Sequence, residues 1–405
     1  MTTSCEINFF KRALTEKAIN IRLKEKNYDI DLISFGEVKK QFFNAINEFC
    51  PYSKVLVVAQ KEQYLKYAPM VFEMIAECGC RAIGFVLDDE YQADYNVVDV
   101  QKVAKCFFVS EDYRAVVTFD GVGALYSGYI ASVKGIACIH LQTDACFDGI
   151  LSSKFCVRVG EKLSQAFYLQ KKRIIIDEKL ISWYNIKKAY KSAFEKHIAL
   201  IDYQLNQTAI DESYSNSDFD FAKSALDCVL NEVFDDELGK WRLFYGGLAI
   251  AVANYLLDGE MLFNSSVDAV KFALSIKGVD YENHFLARSI NTLYATRLGG
   301  KLNLTPLDLG VRGDIRVDGL LGRKTLDRAL ISKVQTLIAS VVKECKRVVS
   351  VMERAEKSCS RLLSDADVRK NEKYRNTNIN LESVIGIASC FPNGINGVKI
   401  IAHVG

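Results

Sequence analysis

Four apolar runs in the first third of the chain constrain its fold most strongly. Lys54–Ala59 (KVLVVA), Arg81–Leu87 (RAIGFVL), Ala115–Phe119 (AVVTF) and Ile136–Leu141 (IACIHL) are nearly continuous apolar segments. A strand reads this way when both its faces are covered, as in a parallel sheet. Between the first two runs, residues 62–77 place Leu65, Met70, Val71, Met74 and Ile75 at helical spacing. Residues 124–133 read as another helix, and residues 95–107 as a short strand or helix. Strands that alternate with helices imply a parallel sheet covered on both faces. Shorter strands are expected near 30–34, ahead of a helix over 37–48, and at 173–177.

Beyond residue 177 the pattern becomes helical. Periodic segments cover 186–205, 219–233, 243–257, 267–276 and 283–298, and a long one runs from 325 to 363. The apolar stripe of the long one, from Leu326 to Leu362, steps by threes and fours. A buried domain helix is the preferred reading, and coiled-coil pairing into a homodimer is the alternative. Only 4 of 405 residues are proline, where about 5% is usual, so long helices meet few breaks. The Gly-containing tail ends in an expected strand over 397–403. The fold class is therefore α/β: a parallel Rossmann-like sheet domain over residues 1–175, then an all-helical domain over 176–405. A small-molecule ligand is expected in the cleft between them.

Composition narrows the partners. Lys and Arg number 52 against 50 Asp and Glu, a net charge of +2, which draws the chain to neither nucleic acid nor an acidic membrane. The longest apolar stretch, Leu248–Leu257, is far too short to span a bilayer, and the first residues lack the apolar core of a signal peptide. The 12 cysteines are scattered with no C-x-x-C, which fits a cytoplasmic chain with reduced thiols. Cys78-Gly79-Cys80 is read as a helix end capped by Gly79, with a redox or metal pair as the alternative.

Two loops carry the motifs. The third run leads into Thr118-Phe119-Asp120-Gly121-Val122-Gly123, a glycine-containing turn before a helix. Such a turn lets backbone N–H groups approach a phosphate at a helix N-terminus. The fourth run leads into Gln142-Thr143-Asp144-Ala145-Cys146-Phe147-Asp148-Gly149-Ile150, again where ligands of parallel sheets bind.

The order of these features resembles the dehydroquinate synthase-like superfamily with its iron-containing alcohol dehydrogenases, and most of all glycerol-1-phosphate dehydrogenase. Thr143, Asp148 and Gly149 match the loop Pro-Thr-x-x-Ser-x-Asp-Gly, with Gln142 at the Pro position and Cys146 at the Ser position. Ile174-Ile175-Ile176-Asp177 with Leu180 resembles the strand entering the helical domain. Lys196, Ala199, Asp202 and Tyr203 resemble the Lys-x-x-Ala-x-x-Asp-Trp helix, and Gly36 fits the N-terminal Phe-Gly turn. The likeness covers residues 30–300. It implies NAD(P) bound by Asp120, Gly121, Gly123, Thr143 and Cys146, with Asp148 and Lys196 beside the substrate.

The departures are specific. The family's Gly-Gly-Gly turn is followed by Asp-x-x-Lys, which has no counterpart here, and Asp120 and Val122 stand in place of glycines. A carboxylate aimed at a diphosphate repels it, so Asp120→Gly is expected to tighten nucleotide binding. Where the family holds zinc or iron with one Asp and two His, the aligned positions carry Ser192, Asp268 and Glu282, with His284 two residues later. Zinc prefers nitrogen and sulfur donors, and Mg²⁺ or Mn²⁺ would suit these oxygens better. The expectation is that no metal is held. The resemblance implies a polyol or polyol-phosphate oxidoreductase. The departures favour a catalytically inactive relative acting as a binding or scaffold protein, and a sugar-phosphate cyclase ranks last.

Overall fold

The structure is a computed structural model. It describes residues 33–87, 97–108, 112–147, 151, 154–159, 162–167, 172–182, 186–210, 216–230, 237–257, 266–276, 290–298, 328–358, 381–389, 397–398 and 401. The chain divides into two compact units, Met1–Ile186 with Gly247–Asp258, and Lys187–Gly246 with Gly259–Gly405.

The first unit is built on a six-stranded sheet. In chain order its elements are β1 (Ile33–Phe35), α1 (Val38–Phe49), β2 (Lys54–Gln60), α2 (Lys61–Glu77), β3 (Arg81–Leu87), α3 (Val97–Phe108), β4 (Tyr113–Thr118), α4 (Val122–Lys134), β5 (Ala137–Gln142), the hairpin strands β6 (Lys154–Val159) and β7 (Lys162–Phe167), and β8 (Lys172–Ile176). The sheet order is β1-β8-β5-β4-β2-β3, and every pairing is parallel. The 95–107 segment is therefore a helix at its described residues.

The runs of β2, β4 and β5 are continuous because each of these strands feeds two cores, whereas β3 stands at the sheet edge and is only part-buried, contrary to the expectation for its run. Val55, Val57 and Ala59 of β2 join Ala115 and Val117 of β4 against Phe42 and Ile46 of α1 and Val71 and Ile75 of α2. Leu56 and Val58, the intervening residues, join Val116 and Cys138 against Val103 and Phe107 of α3 and Tyr126 and Ile130 of α4. Alternate side chains point to opposite faces, so a strand covered on both sides has no polar period.

The hairpin β6–β7 pairs antiparallel as a separate two-stranded sheet. In β6, Phe155, Val157 and Val159 alternate with Cys156 and Arg158, a strand signal that no expectation above includes. Arg173, the second residue of β8, is buried; it donates to Glu48 at 2.7 Å, and its guanidinium lies over the Phe49 ring.

In the second unit the described elements are helical: α5 (Ile186–Ile210), α6 (Ser217–Leu230), α7 (Glu237–Leu256, whose end belongs to the first unit), α8 (Ser266–Ile276), a π-helical turn (Tyr294–Leu298), α9 (Arg328–Ser358) and α10 (Leu381–Ser389). On α9 the buried stripe runs Ile338, Val341, Cys345, Val348 and Val351. The expected final strand is not formed at its described residues, because Gly397, Val398 and Ile401 are helical. The N–H groups of Gly397 and Val398 go to the side chains of Asp202 and Ser266 rather than to a neighbouring strand. Among the described residues, no helix is long and apolar enough to cross a membrane.

Candidate functional site at the carboxyl edge of the sheet

The strand order places one crevice by topology. From β2 the chain moves outward to β3, then returns to the other side of β2 to form β4. In parallel α/β sheets, ligands settle at the carboxyl ends of the strands where the order reverses. Here that point lies between Gln60, which ends β2, and Phe119-Asp120-Gly121, which follows β4.

Gly121 has φ +97°, a conformation that side chains rarely adopt, and a Cβ there would meet the Gln60 amide oxygen at 3.3 Å. Gln63 donates to the Asp120 carbonyl at 2.9 Å. Gly123 is small for a different reason: a Cβ there would meet Leu87 Cδ1 at 2.6 Å, so the position serves close packing of α4 on β3. Helix α4 then runs to Gly135, whose left-handed φ of +68° ends it.

The Asp120 carboxylate corrects the sequence reading. It is turned onto the loop after β5 and holds that loop by its backbone. The Thr143 N–H donates to Oδ2 at 2.5 Å, the Asp144 N–H donates to it at 2.9 Å, and the Thr143 hydroxyl donates to the same oxygen. Oδ1 lies 3.3 Å from Nε2 of His140. A carboxylate with these partners is committed to the protein, and glycine in its place would orphan the donors instead of clearing a path for phosphate.

The rest of the edge is a polar network inside an otherwise apolar strand. His140 Nε2 faces two acceptors, Asp120 Oδ1 and Gln142 Oε1, each at 3.3 Å, so this nitrogen carries the proton. His140 Nδ1 lies 3.1 Å from the Thr118 hydroxyl. The Gln142 amide donates to the carbonyls of Asp144 at 2.8 Å and Cys146 at 3.0 Å, and the Cys146 N–H donates to Asp144 Oδ1 at 2.7 Å. The Ser182 N–H donates to the Thr143 carbonyl at 2.7 Å, tying this loop to the segment after β8. That segment is itself pinned by Asp177, which accepts from the N–H groups of Val38 and Lys179, each at 2.9 Å.

Asp120, Gly121, Gly123, Thr143 and Cys146 thus belong to one edge. Sequence reasoning missed Gln60, Gln63, His140 and Gln142. Two polar residues two apart in an apolar strand, His140 and Gln142, were the available signal, because they share a face. Asp148, Glu282 and His284 lie outside the described residues, and Asp268 falls on α8 with its side chain outside the description.

In the second unit, Ser192 and Lys196 stand one turn apart on α5, and both are buried. Asp202, two turns further on, is fully buried. Its Oδ2 accepts from the Ser266 N–H at 2.6 Å, and its Oδ1 accepts from the Tyr294 hydroxyl at 2.6 Å and the Gly397 N–H at 2.9 Å. Burial outweighs these donors and pushes the Asp202 carboxyl up to about 6. Among the described residues, no three His, Cys, Asp or Glu side chains converge as metal ligands. Ser192 contributes a hydroxyl, a poor donor for zinc or iron.

No protein-family model matches the sequence, and no curated protein matches it. Solved structures do match. Over 92% of this chain and 96% of theirs, an alcohol dehydrogenase from an archaeal Red Sea brine pool organism superposes with a TM-score of 0.59 at 10% identity, and the iron-containing alcohol dehydrogenase of Thermococcus thioreducens with 0.54 at 10% identity. Maleylacetate reductase from Agrobacterium tumefaciens matches over 92% of this chain and 93% of its own with 0.52 at 12% identity. The fold is that of the iron-containing alcohol dehydrogenases.

Proposed function

We propose that the chain is a divergent NAD(P)-dependent oxidoreductase of the polyol dehydrogenase kind, acting on a small polyol or polyol phosphate such as glycerol 1-phosphate. The observation that supports it most is the switch point. There the β4–α4 turn and the loop after β5 leave neighbouring strands at one edge, in a chain with the iron-containing alcohol dehydrogenase fold. In this reading the first turn of α4 receives the cofactor phosphates. The Ala124 N–H turns back to the Gly121 carbonyl at 3.1 Å, the N–H groups of Val122 and Gly123 precede the helical ladder, and no acidic residue follows in that turn. Gly121 keeps backbone rather than side chain toward the phosphates, and Thr143 and Cys146 border the nicotinamide. When bound, NAD(P)⁺ supplies the hydride acceptor. Asp148 takes the proton of the substrate hydroxyl, and the Lys196 ammonium balances the charge of the alkoxide or phosphate. No step is routed through a metal, because Ser192 and the carboxylate positions do not make a zinc site; Mg²⁺ or Mn²⁺ would suit their oxygens better.

One observation favours a second reading, a binding or scaffold protein without turnover. Asp120 occupies the turn where the resembling family carries glycine and is spent on holding the next loop. Calorimetry with NAD⁺, NADH, NADP⁺ and NADPH separates the readings when paired with a reduced-nicotinamide absorbance assay on glycerol and glycerol 1-phosphate. Binding with turnover establishes the oxidoreductase. Binding without turnover leaves the scaffold, and no binding of any of the four removes the oxidoreductase.

A further inference from the structure

The amino-terminal ends of β2 and β3, at the opposite end of the sheet from Gly121, hold three thiols that the chemistry above does not use. Cys50 ends α1 and is enclosed, while Cys78 and Cys80 are half-buried; all three are free thiols. The Cys80 sulfur reaches back over the turn, 3.4 Å from the Cys50 carbonyl and 3.8 Å from the Cys78 carbonyl. The turn itself is a tight helix end. The Gly79 N–H donates to Ala76 at 2.9 Å, the Cys80 N–H donates to Ile75 at 3.1 Å, and Gly79 has φ +70°. Beside it lies a second unusual backbone: Tyr52, with φ +54°, is exposed and lays its ring against Gly79.

Residues two apart have Cα atoms at most about 7 Å apart even in extended chain. The left-handed turn at Gly79 shortens that span, which brings it toward the 4.4–6.8 Å or so that disulfides span. We propose that Cys78 and Cys80 form a reversible dithiol–disulfide pair, oxidised by a low-molecular-weight disulfide. The Cys78 thiolate attacks one sulfur of the small disulfide, forming a mixed disulfide and releasing one small thiolate. The Cys80 sulfur then attacks the Cys78 sulfur and displaces the second. Two cysteine S–H bonds are lost and one S–S bond forms. The small disulfide takes up the two electrons, and the two protons leave with the small thiols. Burial, with Cys80 and Glu77 beside it, pushes the Cys78 thiol up. The exchange is therefore slow near neutral pH and quickens by about tenfold per pH unit below that value. Closing the pair removes the Cys80 S–H from the Cys50 carbonyl, just before the left-handed Tyr52.

The test uses the full-length reduced protein equilibrated in buffers of graded reduced-to-oxidised glutathione ratio. Samples are acid-quenched, alkylated in denaturant and cut with trypsin. Cleavage after Lys66 and Arg81 gives one peptide, Tyr67–Arg81, carrying both Cys78 and Cys80, whereas Cys50 falls in Gln41–Lys54. The expected result is a Tyr67–Arg81 peptide that loses both alkyl groups together and is lighter by two hydrogens, while the Cys50 peptide stays alkylated. Cys50→Ser leaves the midpoint unchanged, and Cys78→Ser and Cys80→Ser each abolish the linked form. Three results overturn the proposal: a Tyr67–Arg81 peptide doubly alkylated across the whole series, one cross-linked to the Cys50 peptide, or one carrying only glutathione adducts. Those readings come from the wild-type chain and need no variant to fold.

Discussion

Two buried aspartates use one device in different settings. Asp120 and Asp202 each gather backbone N–H groups and a hydroxyl onto a carboxylate. Asp120 works locally: its donors lie 23 and 24 residues away, in the loop leaving the neighbouring strand. Asp202 works globally, joining segments 64, 92 and 195 residues distant. The imidazole of His140 stands beside Asp120, while the hydrogen bonds onto Asp202 come from neutral donors. The first arrangement fixes the shape of a candidate site. The second decides whether the helical unit closes on itself.

The sharpest way to break the comparison is to delete each carboxylate. Asp202→Ala leaves the Ser266 and Gly397 N–H groups and the Tyr294 hydroxyl without their acceptor. Its expected cost is about 3–5 kcal/mol, read as a lowered urea midpoint with loss of helical circular dichroism. Gly397→Ala acts on the same junction, because a Cβ there runs into the Tyr294 ring. Asp120→Ala should cost less, about 2–3 kcal/mol, because its donors sit in one adjoining loop, whereas Asp202 joins three separate segments. Its signature is local: faster amide exchange at Thr143 and Asp144, and nucleotide affinity that falls by roughly tenfold instead of rising. Equal damage from the two deletions, or tighter nucleotide binding in Asp120→Ala, sinks the distinction.

Acidity sharpens the comparison next. Asp202 is raised from 3.8 to about 6 in the folded chain, chiefly by burial. A carboxyl whose folded value is raised binds its proton more tightly when folded. Its contribution to stability is therefore fully present below the unfolded value and is lost as pH climbs from about 4 through about 6. The size is on the order of 3 kcal/mol. Glu344 in the same unit has the opposite sign. Burial raises it, but the His197 imidazole 3.5 Å away and the bonds from Arg347 outweigh that and bring it from 4.5 to about 2, so its contribution is lost as pH falls through that range. Chemical denaturation at a series of pH values should show the wild-type slope between about 4 and 6 vanish in Asp202→Asn. A slope that survives the substitution assigns the effect to another group.

The sheet was legible and the clamps were not, for one physical reason. A strand covered on both faces prints its burial into its own residues, so the run Lys54–Ala59 carries the bounds of β2 to within one residue. Gly121 and Thr143 could likewise be placed on one edge from strand order alone. The direction of the Asp120 side chain depends on which loop leaves the adjacent strand, and that is a property of the sheet. Asp202 is harder still, because its partners Ser266, Tyr294 and Gly397 carry no shared pattern in sequence. The tail was read as a strand from local apolar content at Val398, Ile400 and Ile401. The donors that set its backbone instead point to side chains of α5 and α8.

The smallest expected effect tests whether the β4–α4 turn is shaped by a ligand or by the protein's own packing. Gly123 would be required by phosphate if backbone had to approach a cofactor there, and by Leu87 if α4 has to lie close on β3. The buried Leu87 methyl, 2.6 Å from where a Cβ would stand, argues for packing. Gly123→Ala should then cost about 1–2 kcal/mol through overpacking, before any nucleotide is added. Shortening the neighbour makes the room the methyl needs, so Leu87→Val combined with Gly123→Ala should cost less than the two changes summed. A coupling of about 0.5–1 kcal/mol in a double-mutant cycle is the expected reading. Gly121→Ala should show no such rescue by Leu87, because its strain lies in its own φ of +97° and in the Gln60 amide. If Gly123→Ala leaves the melting curve of the free protein unchanged and alters only nucleotide affinity, the glycine belongs to the ligand, and the turn at the switch point is a phosphate loop in its own right.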